Sequence, residues 1–176
     1  SLISFLENNG CEVDYVADVL ADYDPTNHDV VISYGYRHIL RKDFLGQLKR
    51  PPINLHMSYL PYNRGAHPNF WAWYEGVPHG VTIHHVDVGV DTGDIIAQKE
   101  VTFSEGDHNF EYTYQVLIQE IELLFRECWP SIEAQSYKAV PQQGGGSSHK
   151  MKDLPNGVEW HNSICQTLAK LKKEKI

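Results

Sequence analysis

The stretch Pro51-Pro52-Ile53-Asn54-Leu55-His56-Met57-Ser58-Tyr59-Leu60-Pro61 decides the fold. Paired prolines stop a preceding helix, since proline has no N–H to give and its ring clashes with the turn before it. Ile53 to His56 then alternates apolar and polar residues, the period of a strand. Asn54 and His56 lie two apart, so a regular strand puts both on one face. Upstream, Asp29-Val30-Val31-Ile32-Ser33-Tyr34 is a β-branched run that predicts a buried parallel strand, ended by Gly35. Between these two strands, Ile39 to Leu48 has helical spacing.

Working outward, Leu2 to Asn8 predicts a helix stopped by Asn9-Gly10, and Cys11 to Val16 a short strand. Asn63-Arg64-Gly65 predicts a turn, and Pro68 to Gly76 a helix with an aromatic face. Strands are expected at Gly80 to Val86 and Ile95 to Val101, separated by the Gly89 to Gly93 loop. Phe110 to Trp129 is the longest helical pattern, ended by Pro130, and Val158 to Leu171 is a last amphipathic helix. Strand and helix alternate over the first hundred residues, which predicts an α/β fold with a mostly parallel sheet flanked by helices. The expected organisation is a catalytic domain over 1–140, with a Gly-rich loop and C-terminal helix over 141–176 packed on it; Gln142 to Ser148 reads as a flexible loop. The chain opens at Ser1 inside an apolar pattern, so the natural protein is expected to begin earlier, with one more strand.

A net charge of -8 speaks against a nucleic-acid partner, because gripping a phosphate backbone calls for a positive face. No apolar run reaches about 18 residues, so no membrane span is expected. Cys11, Cys128 and Cys165 are scattered and form no CxxC pair, which predicts reduced thiols and a cytoplasmic location. Adjacent residues on a strand face opposite ways, so His84 and His85 do not share an ion, and no metal site is expected.

Asn54, His56 and Asp91 offer an amide, an imidazole and a carboxylate where an α/β sheet places its ligands, beyond strand ends. That set can move a formyl group from a nitrogen donor to an amine. An amide and a protonated imidazole can donate hydrogen bonds to the oxygen on which charge builds. A carboxylate can keep the imidazole charged and take the amine proton. Singly, each residue has a blander reading: Asn54 a turn or cap, His56 a hydrogen-bonded core histidine, Asp91 an Asx-turn. Only the three together, in order, carry the chemistry.

Asn54-x-His56, Ser58-Tyr59-Leu60-Pro61, Arg64-Gly65, Thr82-Ile83-His84 and Asp91-Thr92-Gly93 together resemble the formyltransferases that use N10-formyltetrahydrofolate. That family includes glycinamide ribonucleotide formyltransferase, the amino-terminal domain of methionyl-tRNA formyltransferase and the N-formyltransferases of nucleotide-linked amino sugars. The resemblance implies a Rossmann-like formyltransferase fold, N10-formyltetrahydrofolate as cosubstrate, and Asn54, His56 and Asp91 as catalytic residues. It implies folate contacts at Tyr36, Arg37, His38, Ile39, Leu40, His84, Val86 and Val88. The chain departs from the family in lacking the usual first strand and its glycine-bearing turn.

Pro61 to Trp71 and Gly144 to Asp153 are most similar to the sugar enzymes, which implies a dTDP-amino-dideoxyhexose type of substrate. Arg64, Asn69, Trp71 and Lys150 are the candidates to hold it. The alternatives are glycinamide ribonucleotide as acceptor, or a folate-binding module without turnover. The helix from Val158 is a candidate contact for a homodimer.

Overall fold

The computed structural model describes residues 1–20 and 23–173. Four strands form the main sheet in the order β1-β2-β4-β5: β1 (Ile32–Tyr34), β2 (Ile53–His56), β4 (Gly80–His85) and β5 (Ile95–Glu100). A second, two-stranded sheet joins β3 (Arg64–Gly65) to β6 (Ser148–His149) in parallel. The helices are α1 (Leu2–Asn8), α2 (Lys42–Leu45), α3 (Pro68–Glu75), α4 (Phe110–Glu133) and α5 (Ile164–Lys173).

The α/β class stands, and the strand directions sharpen it. β1 and β2 are parallel, joined by a connection that carries α2. β2–β4 and β4–β5 are antiparallel, so β4 alone runs against β1, β2 and β5, and the strands are mostly parallel in direction as expected. The connection over residues 86–94 explains the reversal between β4 and β5. It is shorter than the dozen or so residues a parallel crossover needs.

Alternation along β2 and β4 sorts two faces. Ile53, Leu55, Val81 and Ile83 face a core with Leu117, Ile121, Phe125 and Ile132 of α4, and Leu2 and Leu6 of α1. Asn54, His56, Thr82 and His84 lie on the opposite face and are nonetheless buried or half-buried, because residues 57–68 lie over them. Thr82 ties that cover down. Its hydroxyl donates to the Ser58 carbonyl (2.7 Å) and accepts from the Leu60 N–H (3.2 Å).

A second cluster gathers Phe70 and Trp71 of α3, Phe110 at the start of α4, and Ile164 and Leu171 of α5. The buried residues of α5, Ile164 and Leu171, are therefore used within the chain.

Several boundaries differ from expectation. Cys11 to Val16 alternates like a strand but joins no strand among the described residues and is a loop. The helix expected over 39–48 shrinks to Lys42–Leu45, followed by Gly46. Of the turn expected at Asn63-Arg64-Gly65, only Asn63 lies in a turn, over residues 60–63; Arg64 and Gly65 form β3. α4 passes through Pro130 to Glu133, since burying Ile132 completely outweighs one missing backbone hydrogen bond. α5 starts at Ile164 because the Ser163 hydroxyl accepts the Gln166 N–H (3.1 Å), a helix-start cap that residues 158–162 do not provide.

Candidate active site

Asn54, His56 and Asp91 converge. Asp91 sits in the left-handed region (φ 52°), a conformation that Asp tolerates better than most side-chain-bearing residues, and this turns its carboxylate back over β2. Its Oδ2 accepts the Gly65 N–H at 2.8 Å and lies 3.7 Å from His56 Nδ1. Its Oδ1 accepts from Asn54 Nδ2 at 3.2 Å and lies 3.6 Å from His84 Nε2. Burial pushes the Asp91 carboxyl up, but the His56 imidazole and the Gly65 N–H outweigh it and hold the group well below the usual carboxylate range. Asp91 is an anion at any working pH.

The sequence led us to expect Asp91 to keep the His56 imidazole charged. Burial pushes the His56 pKa down, and the charge of Asp91 only partly offsets that. His56 Nε2 faces the Asn63 carbonyl at 3.3 Å. A carbonyl can only accept, so Nε2 carries the hydrogen.

His84 is sealed at 1% exposure, behind Asn54 and Asp91, so it cannot touch a folate as the resemblance implied. Its Nδ1 donates to the His85 carbonyl (2.7 Å), which leaves Nε2 to accept from Asn54 Nδ2 (3.1 Å). Both amide hydrogens of Asn54 are thus engaged in the resting site, one on His84 and one on Asp91.

Asn54, His56 and Asp91 line a cleft of about 170 Å³ together with Gly35, Tyr36, Met57, Gly65 and Pro68. That is several water volumes, ample for a one-carbon unit. A larger hollow of about 220 Å³ lies between α5 and residues 156–162; it is lined by amides, Thr167, Leu171 and Lys170, without a carboxylate or imidazole to do acid–base work.

Of the other residues singled out from sequence, Tyr36 is on the cleft wall. Arg37, His38 and Ile39 are exposed beside it, Leu40 and Val86 are half-buried, and Val88 is exposed. Arg64 turns away to Gln142, donating Nε (3.0 Å) and Nη2 (2.7 Å) to its Oε1. Asn69 is a correction. It is buried and bonds the Phe110 carbonyl (2.9 Å) and Thr113 (3.1 Å), fastening α3 to α4 with nothing left for a substrate. Trp71 is also buried, lying flat on the His149 ring at 3.8 Å. Lys150 stands exposed just past β6.

Sequence reasoning missed Gln142. It also donates its Nε2 to the Asp91 (2.8 Å) and Gly93 (2.9 Å) carbonyls, so the start of the supposed flexible loop is a brace for the loop that carries Asp91. It missed Gly65 as a donor too. At φ 88° a side chain is strained, and a Cβ would collide with the His149 carbonyl across β3–β6. The Arg64-Gly65 pair was visible; that its N–H reaches Asp91 was not.

Among the described residues no group of histidine, cysteine and carboxylate side chains could hold a metal. No helix among them is long and apolar enough to cross a membrane.

A carboxylate, an amide and an imidazole thus meet on one cleft carried by a mixed α/β sheet. The chain belongs to the formyl transferase family, whose model, described as "Formyl transferase", matches residues 7–127. It is 44% identical to the formyltransferase PseJ from Anoxybacillus kamchatkensis, solved in complex with UDP-4,6-dideoxy-4-formamido-L-AltNAc and tetrahydrofolate. That match covers 95% of this chain and 91% of that one, with a TM-score of 0.85. An N-formyltransferase from Helicobacter canadensis, solved with folinic acid and dTDP-3-aminofucose, is 21% identical over 90% of this chain and 57% of its own (TM-score 0.69). Methionyl-tRNA formyltransferase from Clostridium thermocellum is 15% identical over 90% of this chain and 71% of its own (TM-score 0.65). The last two share the fold.

Proposed function

We propose that this protein transfers the formyl group of N10-formyltetrahydrofolate to the amine of a nucleotide-linked amino sugar. The observation that carries the reading is the convergence of Asn54, His56 and Asp91 on one cleft in a chain that matches PseJ along nearly its whole length. The amine nitrogen attacks the formyl carbon, and the carbonyl pair moves to oxygen. N–H donors from Asn54 and His56 meet that charge. Their bonds in the resting site, to Asp91 (3.2 Å) and Asn63 (3.3 Å), are long, which leaves each hydrogen to be shared with the formyl oxygen. Asp91, ionised, takes the proton from the amine. The oxygen pair then returns, the bond from formyl carbon to N10 breaks, and N10 leaves with its pair and a proton, giving a formamide and tetrahydrofolate.

The folate is read as lying along Tyr36 to Leu40 and Val86 to Val88, and the sugar nucleotide toward Lys150. UDP takes precedence over the dTDP expected from sequence, because the 44% identical relative was solved with a UDP-linked sugar, whereas the dTDP-sugar complex belongs to a relative at 21%. The free cysteines accord with a cytoplasmic enzyme.

The test is an acceptor panel with N10-formyltetrahydrofolate as donor: UDP- and dTDP-linked 4-amino-4,6-dideoxyhexoses and glycinamide ribonucleotide. Formamide product with a UDP-linked sugar is expected. Turnover with glycinamide ribonucleotide alone would replace this reading, and folate binding without any product would reduce the protein to a binding module.

A further inference from the structure

Behind the cleft runs a second polar chain that does not touch it. Asn63, fully buried and in the left-handed region (φ 56°), presents its carbonyl to His56 Nε2. Its backbone N–H donates to Ser147 Oγ (2.9 Å), and its Nδ2 donates both to Ser147 Oγ (3.1 Å) and to Glu75 Oε2 (2.7 Å). The Ser147 hydroxyl donates to the same Glu75 oxygen (2.8 Å). A serine hydroxyl has one hydrogen and two lone pairs, and all three are used here. The other Glu75 oxygen, Oε1, lies 2.8 Å from His149 Nε2, and the His149 ring is stacked on Trp71.

Both ends of this chain reach catalytic groups. Through Asn63 it meets His56. Through β3–β6 it meets Asp91: Arg64 N–H donates to the Ser147 carbonyl and Ala66 N–H to the His149 carbonyl (2.9 Å each), and Gly65 between them donates to Asp91. Glu75, at the end of α3, bonds the 63 side with one oxygen and faces the 149 side with the other.

We propose that Glu75 is a positioning residue. Its carboxylate clamps residues 147–149 against residues 63–66 and so fixes the hydrogen-bond partners of both His56 and Asp91. A carboxylate suits the task because one oxygen must accept two hydrogens while the other faces an imidazole nitrogen. The late Gly-rich segment is then part of what sets the tautomer of the catalytic histidine. Only the kinetic arm of the test rests on the activity proposed above.

The experiment compares Glu75→Ala, Glu75→Gln and Ser147→Ala. Each is checked for folding by circular dichroism and melting, then read by ¹⁵N NMR of labelled histidines and by steady-state kinetics with N10-formyltetrahydrofolate and the UDP-linked amino sugar. In wild type the His56 signal reports a hydrogen on Nε2. In Glu75→Ala it shifts toward a mixture of tautomers, kcat falls about 100-fold, the scale expected for a misplaced catalytic group, and the folate KM stays within about twofold. Glu75→Gln restores most of kcat, since its carbonyl still accepts from Asn63 and Ser147. Ser147→Ala moves the His56 signal in the same direction and carries the test if Glu75→Ala does not fold. An unchanged His56 signal in folded Glu75→Ala overturns the proposal, as does a kcat within about threefold of wild type. The NMR arm needs no acceptor, so a failure of the Glu75 role is told apart from a failure of the proposed reaction.

Discussion

Asn54 and His56 sit on a strand paired on both sides, with β1 and with β4, whereas Arg37, His38, Ile39 and Val88 sit on segments that join no strand and face solvent. The cleft wall that β2 forms and the exposed loops, here called the loop wall, can do different things. The β2 wall holds its groups by backbone pairing and buried hydrogen bonds before any ligand arrives, which is what electrostatic stabilisation of a transition state requires. The loop wall has exposed apolar side chains, Ile39 at 76% and Val88 at 74%, available for a flat ring to cover. If the division is right, changes on the first wall reduce kcat and changes on the second raise KM.

Asp91→Asn should break the first wall most severely. Asn tolerates the left-handed backbone as well as Asp does, so the fold is expected to persist. The amide brings an NH₂ against the N–H donors of Gly65 and Asn54, and no longer takes a proton. Turnover should fall by about 10²–10⁴-fold, measured by formamide release, with a melting temperature close to wild type. Wild-type rates in this variant would remove Asp91 from the mechanism.

Gly65→Ala comes next. The added Cβ meets the His149 carbonyl and the φ of 88° becomes strained, so β3–β6 has to part and the N–H moves off Asp91. A stability loss of about 1–3 kcal/mol and a kcat loss exceeding about tenfold should appear together in denaturation and kinetic data. Retained kcat with lost stability would mean that Asp91 does not depend on β3.

These two sites differ in how legible they were. Asn54, His56 and Asp91 could be found because a strand period, a proline stop and a glycine-bearing loop are local signals, and their ordered spacing is shared with a family. The spans of β2, α3, β4 and β5 were readable for the same reason. Asn63, Glu75, Gln142 and Ser147 act through contacts across dozens of residues, and no periodicity encodes such a pairing. Composition even pointed the wrong way: Gln-Gln-Gly-Gly-Gly-Ser-Ser reads as slack chain, yet Gln142 and Ser147 at its ends are firmly bonded. Asn69 misled because its helix lies near the cleft while its side chain faces α4. The burial of His56, the larger influence on its pKa, is a tertiary property that no local pattern encodes.

On the loop wall, Val88→Asp should leave stability within about 0.5 kcal/mol, as expected for an exposed position. If the pterin covers this loop, the variant raises the folate KM several-fold while kcat holds. A drop in kcat with unchanged KM would show that the two walls are not separable.

The smallest effect lies away from the cleft, at His79, and it controls for pH studies of the site. Its ring is enclosed by Trp73 (4.3 Å between centroids) and Phe103 (5.3 Å), and burial pushes its pKa down to about 4. The unfolded chain binds this proton near pH 6.5 and the folded chain does not. The stabilisation is therefore complete above pH 6.5 and is lost as pH falls through about 4. His56, pushed the same way by burial, adds to the same slope, so acid loss of activity on its own does not report the catalytic histidine. Melting curves at pH 7 and 5 separate the two. His79→Phe should remove about 1 kcal/mol of the acid destabilisation while leaving the acidic limb of kcat in place. If that limb moved with His79→Phe, it would be reporting unfolding, and the titration could not be assigned to the β2 wall.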